Sequence, residues 1–366
     1  MDARPARQDH IATLDLLRLT AALAVVFFHY FFRGAAAEGA LAEGYPSVAP
    51  FALYGYLGVN LFFLISGFVI AWSAEGRFWQ EFAIARFVRL YPGYLLCMTI
   101  TFVIVMAFGA PLFSTSLGQY AANLSMFAPA LGQPFMDGVY WSILLELVFY
   151  GWVTLALLGG VFQKWKLGLI FVWLAIAASN ELFIESRGIR LLFITEFGPF
   201  FAAGVLVHHI HAHGRSLAAL LLLGAAFLLS CSTLSVTQQW MLNEYGIAVS
   251  QPHLVIANIV MHSLLIGAIL LRSHVVPSAM TLALGGLTYP LYLLHQKIGY
   301  IAINAAAPLA GKWAAGLGCV ALMVLISWAI WQYFERPAQR RVKAWIGGAL
   351  DTALARFRGR SAQPAK

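Results

Sequence analysis

Residues 11–32 read IATLDLLRLTAALAVVFFHYFF, a stretch whose only acidic or basic side chains are Asp15, Arg18 and His29. At 1.5 Å of rise per residue such a helix is ~30 Å long, the thickness of the hydrocarbon core of a bilayer. Arg4 and Arg7 precede it and Ala35-Ala36-Ala37 follows it, which imitates a secretory signal and its cleavage site. The apolar stretch is too long for a signal core, however, and Asp15 and Arg18 interrupt it, so it reads as a retained membrane helix.

The same pattern recurs outward from this helix. Further apolar runs lie near 51–73, 93–113, 139–160, 167–183, 192–209, 217–234, 253–271, 281–303 and 313–334. The expected architecture is all-α, a polytopic membrane protein of about ten helices over residues 1–337, with a basic cytoplasmic tail over 338–366. Composition excludes a soluble fold: 61% of the chain is hydrophobic and 10% charged, against about 25% charged in soluble domains. The net charge of +8 is a topology signal here and does not point to nucleic acid. Arg4, Arg7, Arg77, Arg86, Arg89, Lys164, Lys166, Arg215, Arg272 and eight cations of the C-terminal segment fall on one side; Arg33, Arg187, Arg190 and Lys312 fall on the other. Positive charge stays in the cytoplasm, so both termini are expected there, in a bacterial plasma (inner) membrane. The tail either lies on the anionic leaflet or is a disordered segment that only fixes topology. The loop 114–138, rich in Ser, Gly and Pro, is expected to dip back towards the membrane. Cys97, Cys231 and Cys319 sit in apolar runs, which predicts neither a disulfide nor a zinc site.

Ionisable groups inside membrane spans are costly and mark function. Arg18 and His29 are eleven residues apart, close to three helical turns, so they share a face ~16 Å apart along the axis. Asp15, three residues before Arg18, completes a polar seam. The alternative is an interfacial ion pair and a packed histidine. Arg86 and Arg89 are neighbours on a helix, and two guanidiniums suit a phosphate or pyrophosphate; an anchoring role under the positive-inside rule fits them as well. Glu146, inside the run Trp141 to Tyr150, must be protonated, paired or facing a wet cavity, with Arg18 or His29 as its expected partner. His295 and Lys297 either line the cavity or approach the outer surface, where Lys297 would snorkel. Ser66 lacks the glycine that a nucleophile elbow needs and reads as a packing site. No cysteine or acid is expected to join His208, His209, His211 and His213, and their loop reads as cytoplasmic, so no metal is expected there. Asn258 and His262, four residues apart, read as an interhelical hydrogen-bonding pair.

Taken in order, these motifs resemble the membrane acyltransferase-3 family, which O-acylates sugars of bacterial surface polysaccharides and some glycosides. The residues that carry the likeness are Leu14-Asp15-Leu16-Leu17-Arg18 with His29; Gly58-Val59-Asn60-Leu61-Phe62-Phe63-Leu64-Ile65-Ser66-Gly67-Phe68; Arg86-Phe87-Val88-Arg89-Leu90-Tyr91-Pro92; Trp141-Ser142 with Glu146; Tyr292 with His295; and Glu335-Arg336-Pro337. The second of these usually holds an acidic residue where this chain has Asn60.

The resemblance implies an O-acetyltransferase that uses acetyl-CoA or another acyl-CoA as co-substrate, with no tightly bound cofactor. The acceptor would be a sugar hydroxyl of a polysaccharide, a lipid-linked glycan or a glycoside. The expected catalytic set is His29, Arg18, Asp15 and Glu146. Arg86 and Arg89 would bind the acyl-CoA phosphates, and Trp141, Ser66, Tyr292 and His295 the acceptor. His29 would act as the base, or as an acyl carrier, with Arg18 at the oxyanion. No hydrolase-like domain of the kind some members carry is expected, so the chain would complete the transfer itself or pass the acyl group to a partner protein. Two rivals stand beside this reading: a transporter or flippase for a lipid-linked glycan, and another membrane O-acyltransferase fold with Asn258 and His262 as its site.

Overall fold

The computed structural model describes residues 10–36 and 39–346. Arg4, Arg7, Ala37, Glu38 and the tail from residue 347 onward lie outside the described residues. Ten long helices follow one another: α1 Ala12–Phe28, α2 Gly58–Ala74, α3 Trp79–Phe108, α4 Trp141–Leu158, α5 Lys166–Ser179, α6 Gly198–His213, α7 Leu217–Tyr245, α8 Gln251–Leu270, α9 Ala279–Ala310 and α10 Lys312–Ile330. No strand occurs among the described residues, as the uninterrupted apolar runs require of a chain that must satisfy its backbone inside a bilayer.

Nine helical segments among the described residues are long and apolar enough to cross a membrane. The expected span near 281–303 is the exception. It forms α9, which is 32 residues long but diluted by Thr288, Tyr289, Tyr292, His295, Gln296 and Lys297. The reason is position. Thr288, Tyr292, His295 and Gln296 are buried, so this face of α9 meets other helices and has no need to match lipid. Burial sorts the remaining helices as well. The spans containing α2, α6 and α1 are 78%, 72% and 61% buried, against 22% for the span containing α5. An inner layer of α1, α2, α6 and α9 is therefore wrapped by helices that turn most of their surface outward.

Close backbone approach sets the α2–α6 contact. A Cβ on Gly67 would lie 2.1 Å from the Phe201 carbonyl oxygen, and one on Gly204 would lie 2.1 Å from that of Leu64. Small residues at such crossings replace a hydrophobic driving force that lipid cannot supply.

The loop after α3 runs back along it. Tyr120 Oη meets Thr99 Oγ1 at 3.1 Å, Tyr94 Oη donates to the Asn123 carbonyl at 2.9 Å, and Tyr91 Oη donates to the Leu124 carbonyl at 3.2 Å. Tyr91 lies seventeen residues before the end of α3, so the loop returns ~25 Å along the helix. Irregular backbone at that depth is tolerated because protein groups satisfy it: Asn123 accepts from the Met136 amide at 2.9 Å and donates to the Gln119 and Pro134 carbonyls. Asp137, at the end of this loop, accepts from the Lys297 amide of α9 at 3.0 Å. The Lys297 ammonium lies 5.5 Å from the centre of the Phe113 ring.

At the C-terminal end, α10 continues through a π turn, Trp331–Glu335, into helix that reaches Ile346. Residue 338 therefore marks no break in secondary structure.

Gly204→Val should force α2 and α6 apart and cost about 1–3 kcal/mol. The expected outcome is a lower melting temperature in detergent, with Gly224→Val as the control, since nothing lies within 4 Å of a Cβ at Gly224.

Candidate active site

Two polar cavities lie in sequence along α1, and both are walled by Val59 and Tyr292. The first, of about 130 Å³, gathers Arg18 of α1, Ser66 of α2, Arg86 and Arg89 of α3 and Glu146 and Tyr150 of α4. The second, of about 380 Å³, holds His29, Arg33, Asn60, Trp141, Glu196 and Trp240. The α1 seam is thus a structural fact, with Arg18 on the first cavity and His29 on the second.

In the arginine cavity each cation is held differently. Arg18 Nη1 lies 3.6 Å from Asp15 Oδ1. Asp15 is buried, also meets His10 Nε2, and lines neither cavity. Arg86 packs its guanidinium against Phe82 and Tyr150 at 5.7 and 5.9 Å from the ring centres, and its Nε has no hydrogen-bond partner among the described residues. Arg89 is ion-paired with Glu335, which belongs to the Glu335-Arg336-Pro337 motif and is brought inward by the π turn. Gln339 Nε2 also donates to Glu335, at 2.8 Å. Glu146 accepts from Ser66 Oγ at 2.9 Å and from Tyr150 Oη. It therefore faces the arginines, and its hydrogen-bond partners do not include His29.

The partner of His29 is His295. His29 is buried at the end of α1, where a π turn, His29–Arg33, begins. Such turns are frequent at functional sites. Its Nδ1 lies 2.8 Å from the Val25 carbonyl oxygen and 3.1 Å from His295 Nε2. The two rings meet edge to face, 4.8 Å between centres and 72° between planes. His29 Nε2 has no hydrogen-bond partner among the described residues. His295, expected among the acceptor-binding residues, is fully buried behind His29 and lines neither cavity.

Between the cavities, Tyr292 Oη lies 2.6 Å from Ser142 Oγ, and both hydroxyls reach the Val139 carbonyl oxygen. Trp141 stands on the wall of the histidine cavity against Phe197, with ring centres 5.3 Å apart. Arg18 lies on the other cavity, eleven residues from His29 and so ~16 Å away along the helix. That is too far to meet an oxyanion formed at His29. Asn60 stands on the histidine cavity instead.

A family model for an acyltransferase domain matches residues 11–332. This chain belongs to the acyltransferase-3 family. It is 25% identical to Nodulation protein 10 of Rhizobium leguminosarum bv. viciae, over 94% of this chain and 97% of that protein. It is 34% identical to Acyltransferase MdmB of Streptomyces mycarofaciens over 29% of this chain and 27% of that protein. No solved structure matches it. The protein is a membrane acyltransferase, and the transporter reading gives way to it.

The remaining candidates of this acyltransferase fall elsewhere. Asn258 donates to Ser230 Oγ across α7 and α8 at 2.7 Å, and His262 Nδ1 turns to the Asn258 carbonyl at 2.9 Å; neither lines the two polar cavities. An acid does join the histidines of α6, from a distant part of the sequence. Glu75, just after α2, lies 3.1 Å from His213, 3.8 Å from His208 and 3.2 Å from Lys166. No set of three ligands able to hold a metal occurs among the described residues. The residues that sequence reasoning missed are Asn60 and the His29–His295 pairing. Asn60 stood out only as a departure from the family pattern, and a contact across 266 residues leaves no local signal.

Removing one partner of the Arg89–Glu335 pair leaves a charge uncompensated. Glu335→Ala should cost about 2–3 kcal/mol, below the range for fully buried pairs because Arg89 is partly exposed. The check is thermal unfolding of Glu335→Ala beside the double variant Arg89→Met/Glu335→Leu, which is expected to recover part of the loss.

Proposed function

We propose that this acyltransferase moves an acetyl or other short acyl group from acyl-CoA to a carbohydrate hydroxyl, from the cytoplasmic to the outer side of a bacterial plasma membrane. The observation that carries the reading is His29, which lines a cavity of about 380 Å³ and whose buried Nε2 has no hydrogen-bond partner among the described residues. The orientation rests on the charge bias of the sequence, which puts the arginine cavity towards the cytoplasm. Arg86 and Arg89 then meet the phosphates of acyl-CoA, and the pantetheine arm passes Val59 and Tyr292 to bring the thioester to His29. Glu146, with Ser66 and Tyr150, shapes the first cavity and balances its positive charge.

The chemistry is acyl transfer by a general base. His29 Nε2 takes the proton of the acceptor hydroxyl as its oxygen bonds to the thioester carbon. The Asn60 amide faces the resulting oxyanion, in place of Arg18. Collapse breaks the carbon–sulfur bond, and the imidazolium returns its proton to the leaving thiolate. The Trp141 and Trp240 rings on the same cavity offer flat apolar faces to a sugar. A base and an acceptor cavity in one chain favour direct transfer over hand-off to a partner protein.

Purified protein with acetyl-CoA and a glycan acceptor tests this by release of free thiol and by mass spectrometry of the acceptor. His29→Ala should lose on the order of 10²–10⁴-fold in kcat while keeping its melting temperature; full activity in that variant sinks the assignment. Asn60→Ala should lower kcat by about 10²-fold. Arg86→Ala should raise KM for acetyl-CoA with little change in kcat; a rise in the acceptor KM alone rules out the phosphate role.

A further inference from the structure

We infer that His295 is a positioning residue for the base, fixing the His29 ring and stabilising it once it carries two protons. The inference rests on the reading of His29 as the base. It comes from a chain of acceptors that leaves one arrangement of protons. His295 Nδ1 lies 2.9 Å from the Tyr292 carbonyl oxygen and 3.1 Å from that of Leu291. Carbonyl oxygens only accept, so Nδ1 carries the proton and Nε2 of the neutral ring presents its lone pair. That lone pair lies 3.1 Å from His29 Nδ1, which therefore donates. The Val25 carbonyl oxygen, 2.8 Å from the same nitrogen, makes the same demand. His29 Nε2 is left unprotonated and without a partner among the described residues, in a ring that lines the second cavity.

Val25 and His295 do different things. Val25 sits one turn back on the same helix and follows α1 wherever it moves. His295 belongs to α9 and fixes the plane of the His29 ring from outside. It is itself held twice by the π turn that follows α1, because Tyr30 Oη donates to its carbonyl oxygen at 2.7 Å while the adjacent His29 meets its ring. When Nε2 accepts the acceptor's proton, His29 becomes an imidazolium in a buried site, where an unassisted charge is costly. The Nδ1–H bond to His295 Nε2, present in the ground state, strengthens as the ring becomes charged and so lowers that cost more in the transition state than in the ground state. The pair does the orienting work that a carboxylate does beneath the histidine of a hydrolase triad, with a neutral acceptor in its place.

The consequence is a split between kcat and KM. In the purified full-length enzyme, His295→Ala should lower kcat on the order of 10²-fold while KM for acetyl-CoA and acceptor stays within about threefold. His295→Gln, whose side-chain oxygen can accept from His29 Nδ1, should regain at least about tenfold of that loss. Melting temperatures confirm that the variants fold, and His295→Phe replaces His295→Ala if the alanine variant does not. Wild-type kcat in the apolar variant, an equal loss in the apolar and glutamine variants, or an effect confined to KM each overturns the inference. His29→Ala in the same assay separates the two levels: an active His29→Ala enzyme removes the base itself, whereas an inactive one beside a fully active His295→Ala enzyme removes only the positioning role.

Discussion

Helix α1 holds a carboxylate, a guanidinium and an imidazole inside an apolar bundle because α9 lies against it with a matching surface. Gly285 of α9 lets Asp15 approach so closely that a Cβ there would meet the carboxylate at 2.2 Å. Ten residues further along, His295 meets His29 and receives the Tyr30 hydroxyl. A buried polar group without a partner is expensive in any low-dielectric setting and more so in lipid. The α1–α9 contact therefore fixes which helices surround the pair, and α9 is correspondingly the least lipid-like of the long helices.

That constraint explains the division of labour between the cavities. Arg18, Arg86 and Arg89 stand together on one, kept in place by Asp15, stacked aromatic rings and Glu335 in turn. Their charge is partly balanced by Glu146, so the cavity remains attractive to an anion without a cluster of bare cations. The second cavity is larger and holds His29, the Asn60 amide and two tryptophans. Tyr292 and Val59 belong to both.

Three π turns show how local helix geometry serves these ends. His29–Arg33 begins with the histidine that meets His295, Trp331–Glu335 ends with the partner of Arg89, and Asn180–Ile184 carries Asn180 and Glu181. Glu181 accepts from Arg190 at 2.7 Å and from Thr195, closing the connection between α5 and α6. A π turn shifts the register of the side chains that follow it. Nothing in the residues His29-Tyr30-Phe31-Phe32-Arg33 distinguishes that turn from ordinary helix.

The sequence by itself determined the class of fold, the helix positions and the family, because apolar length is a one-dimensional property and the motifs are contiguous. It also placed Arg18 and His29 on one face of α1, since helical period alone decides that. Partnership was beyond its reach. Glu146 had Arg18 and His29 as expected partners, yet it bonds Ser66 and Tyr150, while the histidine took its partner from α9. Which buried group meets which depends on helix crossings set by glycine contacts such as Gly67 with Phe201 and Gly204 with Leu64, and on side-chain contacts across up to 289 residues. Those are properties of the packed bundle: the cost of an unpartnered polar group requires a partner, and only the tertiary structure decides its identity.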